Sequence, residues 1–192
     1  KRTNDCHPKP SLDWIFETLC GKTNRLQISL PSEHGGMMTE IERILDQLKR
    51  AYEGNAWHGP SVREVLDGVS AAQAHARPFA NGHTIYELVR HIAVWEDVGR
   101  RRLQGEPADV EISSPEDWPP PEDVSEEAWK QAQAALDRGH QALVEAILRV
   151  AESRLDQPVY EGKSSVYVTL HGVIQHDLYH TGQIAILKKG MT

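Results

Sequence analysis

The 192-residue chain sets 21 Lys and Arg against 28 Asp and Glu, a formal net charge of −7, with 39% hydrophobic and 26% charged residues. This is the composition of one soluble globular domain, and the acidic surplus, broken only by the short basic run Arg100-Arg101-Arg102, argues against a nucleic-acid partner. No stretch approaches the ~18 apolar residues of a membrane span, and with only Cys6 and Cys20 the main body has neither a disulfide framework nor a thiolate metal site, so a reducing, cytoplasmic setting without a signal peptide is expected.

Residues 1–36 are interrupted by Pro8, Pro10, Pro31, Gly21, Gly35 and Gly36 and read as an N-terminal extension, with the natural domain expected over 37–192. Cys6, His7 and Cys20 there read as incidental rather than as a zinc site. Thr39-Glu40-Ile41-Glu42 has the form of a capping box, and Ile41, Ile44, Leu45, Leu48 and Tyr52 follow at helical spacing up to Gly54. After the turn-forming stretch Asn55 to Pro60, Ser61-Val62-Arg63-Glu64 opens a short helix, and Ser70 to Ala76 can hold another turn or two. Thr84-Ile85-Tyr86-Glu87 is a third capping box; Ile85, Leu88, Val89, Ile92, Trp95, Val98 and Leu103 then keep helical period as far as Gly105, where Arg100 to Arg102 supply the cations a helix C-terminus favours.

Residues 106–124 combine Pro107, Pro115, Pro119, Pro120 and Pro121 with many carboxylates and read as a long solvated crossover. Ser125 then caps a helix whose stripe of Trp129, Ala132, Leu136, Leu143, Ile147 and Val150 predicts about 30 residues, or ~45 Å. His140 lies on that stripe and reads as a hydrogen-bonded core histidine or a support to a nearby site. A turn over 156–163 precedes Ser164-Ser165 and a final helix ending in Lys188, Lys189 and Gly190, with the glycine expected to close it. Four substantial helices, no convincing strand and one long connection between the second and third main helices predict an all-α four-helix bundle with a crossover.

His176 and His180 stand four residues apart on the last helix, so both rings leave one face and can chelate a divalent ion. With ten histidines in the chain, chance supplies about half of one such pair, so the surroundings must decide. At 100° per residue Val173, Tyr179, Gln183 and Leu187 flank His176, which makes the stripe apolar and amide-bearing and points the pair inward. Ile174, Leu178, Ala185 and Ile186 give the helix a second apolar face, the mark of a central helix. Gly172 reads either as room beside the site or as a packing glycine. His91, at the edge of the earlier helix's apolar arc, reads on position alone as a hydrogen-bonded interfacial histidine rather than a ligand. Asp177 is turned about 100° from His176 and reads as a support to the site or as solvated.

Three segments carry a resemblance to a known family: Trp57-His58-Gly59-Pro60-Ser61, Gly82-His83-Thr84-Ile85-Tyr86-Glu87-Leu88-Val89-Arg90-His91-Ile92-Ala93, and above all His176-Asp177-Leu178-Tyr179-His180-Thr181-Gly182-Gln183-Ile184. Over roughly Thr39 to Lys189 the chain resembles the DinB/YfiT-like superfamily of helical-bundle metalloenzymes. That resemblance implies a divalent metal held by His91, His176 and His180, homodimeric assembly, and in some members a low-molecular-weight thiol as cosubstrate. Three imidazoles leave a tetrahedral ion one open position, and this donor set suits zinc and nickel among others. No His-Glu-x-x-His occurs, so the peptidase chemistry of that motif has no general base here.

Three readings follow from the sequence. One is a metal-dependent enzyme acting on a small molecule, a hydrolase or a thiol S-transferase. Another is a noncatalytic, stress-associated metal-binding bundle. The last is a helical interaction module without metal.

Overall fold

The computed structural model describes residues 37–121 and 123–191. The extension at 1–36, with Cys6, His7 and Cys20, lies outside the described residues. The regular elements are α1 (Glu40–Tyr52), α2 (Val62–Leu66), α3 (Ala71–His75), α4 (Ile85–Leu103), α5 (Glu126–Ile147) and α6 (Val166–Gly190), with one short 3-10 turn at Glu152–Arg154. The described residues are therefore all-helical, apart from an isolated bridge between Pro158 and Ser165. None of these helices is long and apolar enough to cross a membrane.

All three expected capping boxes form, at Thr39/Glu42, Ser61/Glu64 and Thr84/Glu87: in each, the cap hydroxyl accepts from the third helical N–H and the glutamate accepts the cap N–H at 2.8 Å. A fourth, Ser70/Gln73, opens α3. Each arrangement satisfies orphan N–H groups of the first turn, worth about 1 kcal/mol for the cap hydroxyl alone. Two helix ends differ from the sequence expectation. Helix α5 stops at Ile147 after 22 residues, ~33 Å rather than ~45 Å, and Val150 falls beyond it in a turn. Helix α6 runs through Gly190, so this glycine is helical and Met191 caps the end.

Packing divides into two apolar clusters separated by a polar layer. Ile44, Leu48, Leu143, Ile147, Val166 and Leu170 centre the first, between α1, α5 and α6. Val62, Ile85, Leu88, Ile92, Trp129, Leu136 and Ile184 centre the second, between α2, α4, α5 and α6. On α4, α5 and α6 the change from one cluster to the other passes through wholly buried polar residues, Glu96, His140 and Asp177, with His180 and Thr181 also buried on α6. His140 Nδ1 lies 2.8 Å from Glu96 Oε1, and the imidazole stacks on Tyr52 at 3.7 Å. The core-histidine reading of His140 therefore holds. Burial raises the Glu96 carboxyl well above its ordinary range and pushes His140 down to about 4, so the core disfavours the charged form of both groups.

Candidate metal centre

Helix α4 carries His91 and α6 carries His176 and His180, one turn apart, so the chain must close 85 residues to bring them together. Their Nε2 atoms converge: His176 lies 3.0 Å from His91 and 3.1 Å from His180. Gly99 lets the two helices approach, since a Cβ there would stand 2.8 Å from Val173 Cγ2. His91 and His180 are buried, and His176 is half-buried.

The remaining ring nitrogens fix the protonation pattern. His91 Nδ1 donates to the main-chain oxygen of Asp117 at 2.8 Å and lies 3.0 Å from its Oδ1; His180 Nδ1 donates to Gln183 Oε1 at 2.7 Å. Carbonyl oxygens only accept, so both protons sit on Nδ1 and both Nε2 lone pairs face the common point. Burial holds all three imidazoles below their usual range, and His176, with His180 and His91 beside it, is pushed down to about 3. At neutral pH the cluster is uncharged, the state in which histidine ligates metals. A His176 Nε2–H can serve only one of its two neighbours, so converged lone pairs at this separation suit a shared cation better than a proton. Among the described residues these three histidines are the one group of His, Cys, Asp or Glu with ligand atoms close enough to hold an ion together. The residues fit a divalent metal.

The crossover supplies what the sequence reading missed. It was expected to be solvated, yet Asp117 is 2% exposed and accepts from Trp95 Nε1 and the Ser113 N–H, both at 2.8 Å, besides its two contacts with His91. Trp118 stacks on His91 at 3.7 Å and, on its other face, on His83 at 3.5 Å. A tryptophan beside an aspartate in a segment rich in proline and carboxylates was the available signal. Gln183, by contrast, lies on the expected stripe and holds His180.

Four other expectations need correction or completion. Tyr179 is 66% exposed, so it marks the rim of the site and not its interior, and Ile186 on the supposed second apolar face is 61% exposed. Asp177 is not solvated: it is wholly buried, neither carboxylate oxygen has a partner, and Oδ1 lies 4.0 Å from His176 Nδ1. Gly172 is the room-making glycine, since a Cβ there would meet nothing within 4 Å, while Gly99 takes the packing role.

A groove of about 560 Å³ runs from the three histidines between α4 and α6, under Trp118 and Ile112 of the crossover. Its volume falls in the range of small-molecule sites. Trp95, Val98 and Val173 give it an apolar middle, and Arg102 and Thr169 line its far end.

No curated protein and no solved structure matches this chain. Residues 56–184, well over half of the sequence and all three histidines among them, match the family profile described as the DinB superfamily, and the chain belongs to that superfamily.

Proposed function

We propose that this protein is a divalent-metal-dependent enzyme acting on a small molecule, by hydrolysis or by transfer involving a low-molecular-weight thiol. Its frame is a four-helix bundle of α1, α4, α5 and α6, with residues 106–124 as the crossover between the second and third. His91, His176 and His180 hold the ion, zinc or nickel by donor type. The observation that carries this reading is the fixed tautomer pair: Asp117 and Gln183 take the Nδ1 protons of His91 and His180 and turn their Nε2 lone pairs to one point. Bound there, a divalent ion supplies Lewis acidity to a group presented from the groove.

The chain's own residues do the rest. Asp117 anchors His91 through two acceptors and Trp118 packs flat on the same ring, so the imidazole is fixed in position and plane before any ligand arrives. Indole walls exclude water from one side of the triad, and the groove admits a small molecule from the other.

Metal content of protein purified without a histidine tag tests the reading. One equivalent is expected, falling sharply in His91→Ala, His176→Ala and His180→Ala and unchanged in His140→Ala. Full occupancy in the His91 variant together with loss in the His140 variant would refute the ligand set. The noncatalytic alternative draws on one observation, that the triad ties α4 to α6 across the helix interface. Cobalt-loaded protein separates the two: a sulfur-to-metal charge-transfer band on adding a thiol requires an open position, and spectra unmoved by thiols, azide or pH would favour a structural ion.

A further inference from the structure

We propose that the groove beside the three histidines binds an elongated monoanion, with its anionic end at Arg102, its apolar body over Gly172 and Val173, and its other end presented to the triad. The inference rests on the reading of the triad as the reactive end.

Helix geometry sets the length. On α4 the lining runs from His91 to Arg102, eleven residues on, and on α6 from His180 back to Val168, twelve residues. At 1.5 Å per residue the walls measure about 16 and 18 Å. The ligand is therefore extended rather than compact, with its charge and its reacting group at opposite ends.

The chemistry changes along that length. Trp95, Val98, Ile112 and Val173 line the middle with carbon. The far end is cationic. Arg102 donates from Nε to the Ala108 carbonyl at 3.0 Å, and its Nη2 lies 3.5 Å from Asp109 Oδ1, the same oxygen that Lys163 Nζ approaches to 2.5 Å and to which Tyr160 donates at 3.0 Å. One carboxylate answers two cations, so these three charged groups carry one net positive charge. The Ala108 and Asp109 contacts also hold the guanidinium in place, which lowers the ordering cost of receiving a carboxylate or phosphate.

Gly172 supplies the second, independent observation. It lines the groove from inside a 25-residue helix, where glycine is unfavourable by about 1 kcal/mol relative to alanine. Packing does not require it, since an added Cβ meets nothing within 4 Å. The space it leaves is the floor over which the apolar body lies.

The full-length protein, as purified and after chelation, is titrated calorimetrically with decanoate, decanol and decyltrimethylammonium. Decanoate is expected to bind one site at least tenfold tighter than decanol, about 1.4 kcal/mol, with the cation weakest, and chelation should change the decanoate affinity less than twofold. Arg102→Met should bring decanoate to the level of decanol and leave decanol unmoved. Arg102→Lys, which keeps the charge and loses the Ala108 bond, should retain most of the preference and guards against a merely structural effect. Gly172→Leu should weaken every probe at least tenfold while melting no lower than the native protein. Equal affinities for decanoate and decanol, an Arg102→Met variant with native affinity, or a Gly172→Leu variant that still binds would each overturn the proposal. Decanoate binding lost on chelation would also overturn it, by sending the carboxylate to the metal, while supporting the metal reading. Arg102-dependent binding in a protein that takes up no metal would leave the groove assignment standing and refute the proposed function instead.

Discussion

Alanine at Gly99 and at Gly172 is the same chemical change in two helix interiors, yet the surroundings predict opposite outcomes. Both substitutions gain about 0.8–1.0 kcal/mol of helix propensity. At Gly172 nothing opposes the gain, so Gly172→Ala should raise the melting temperature of this domain by about 2–4 °C. At Gly99 the new Cβ would stand 2.8 Å from Val173 Cγ2, about 1 Å inside an ordinary carbon contact of roughly 3.5–4.0 Å. Overpacking of that kind costs about 1–3 kcal/mol, which exceeds the propensity gain over most of its range. Relief requires α4 and α6 to part, and metal coordination tolerates distance errors of only about 0.2 Å. Gly99→Ala should therefore melt lower than the native protein and bind metal at least tenfold more weakly, and Gly99→Ala/Val173→Ala should recover much of the metal affinity. Thermal melts of the metal-free proteins and competition with a chromophoric chelator measure both quantities. A Gly99→Ala variant as stable as Gly172→Ala, with native metal affinity, would refute the claim that this contact sets the triad.

Glu96→Gln keeps an acceptor for His140 Nδ1 and removes a buried acid. Because the folded carboxyl titrates well above the ordinary value of 4.5, its stabilising protonation is fully present below that pH and is lost as pH rises toward the folded value, at about 1.4 kcal/mol per pH unit. The variant's melting temperature should thus match the native one near pH 4 and gain on it by roughly 3–5 °C per unit as pH rises toward the folded value of that carboxyl, whereas a pH-independent difference would refute the assignment. Asp117→Ala removes the side-chain acceptor of His91 and Trp95 but leaves the main-chain one, so metal affinity measured by the same competition should fall by roughly tenfold, the low end for such supporting groups. A chain beginning at Met38 retains the Thr39 cap and should unfold within a few degrees of the full sequence; a large loss would assign residues 1–36 a stabilising role.

The helices and the triad were legible because their signals are local. A hydroxyl residue followed three positions later by Glu or Gln marks a first turn wherever it occurs, and the pair at His176 and His180 needs only helical geometry to share a face. His91 was different: its position alone favoured an interfacial role, and the resemblance to a family directed attention to it. Of the polar layer, His140 was legible on its stripe, whereas Glu96 and the burial of Asp177 were not. Glu96 follows Ile92 by four residues, and Asp177 follows Val173 by four, so each occupies a place the stripe reserves for an apolar side chain. The roles of Asp117 and Trp118 depend on how a connection without regular structure folds back over α4, which no period encodes. Tyr179 shows the limit of angular reasoning: 60° from His176 is near enough to share a stripe and far enough to stand in solvent.

The indole of Trp118, in face-to-face contact with His91 at 3.7 Å and an interplanar angle of 3°, makes the centre optically self-reporting. Of the described tryptophans, Trp57 is fully exposed and Trp129 is buried with its N–H on the Val69 carbonyl, whereas Trp118 and Trp95, the latter 5.8 Å from the His176 ring, both face the centre. Occupancy of the neighbouring imidazoles would therefore be written into the emission of these two indoles: a closed-shell ion changes the polarity around them, and an open-shell ion quenches them. The stack that holds His91 flat would thus give the protein a native lamp, by which binding of an ion could be followed without a label.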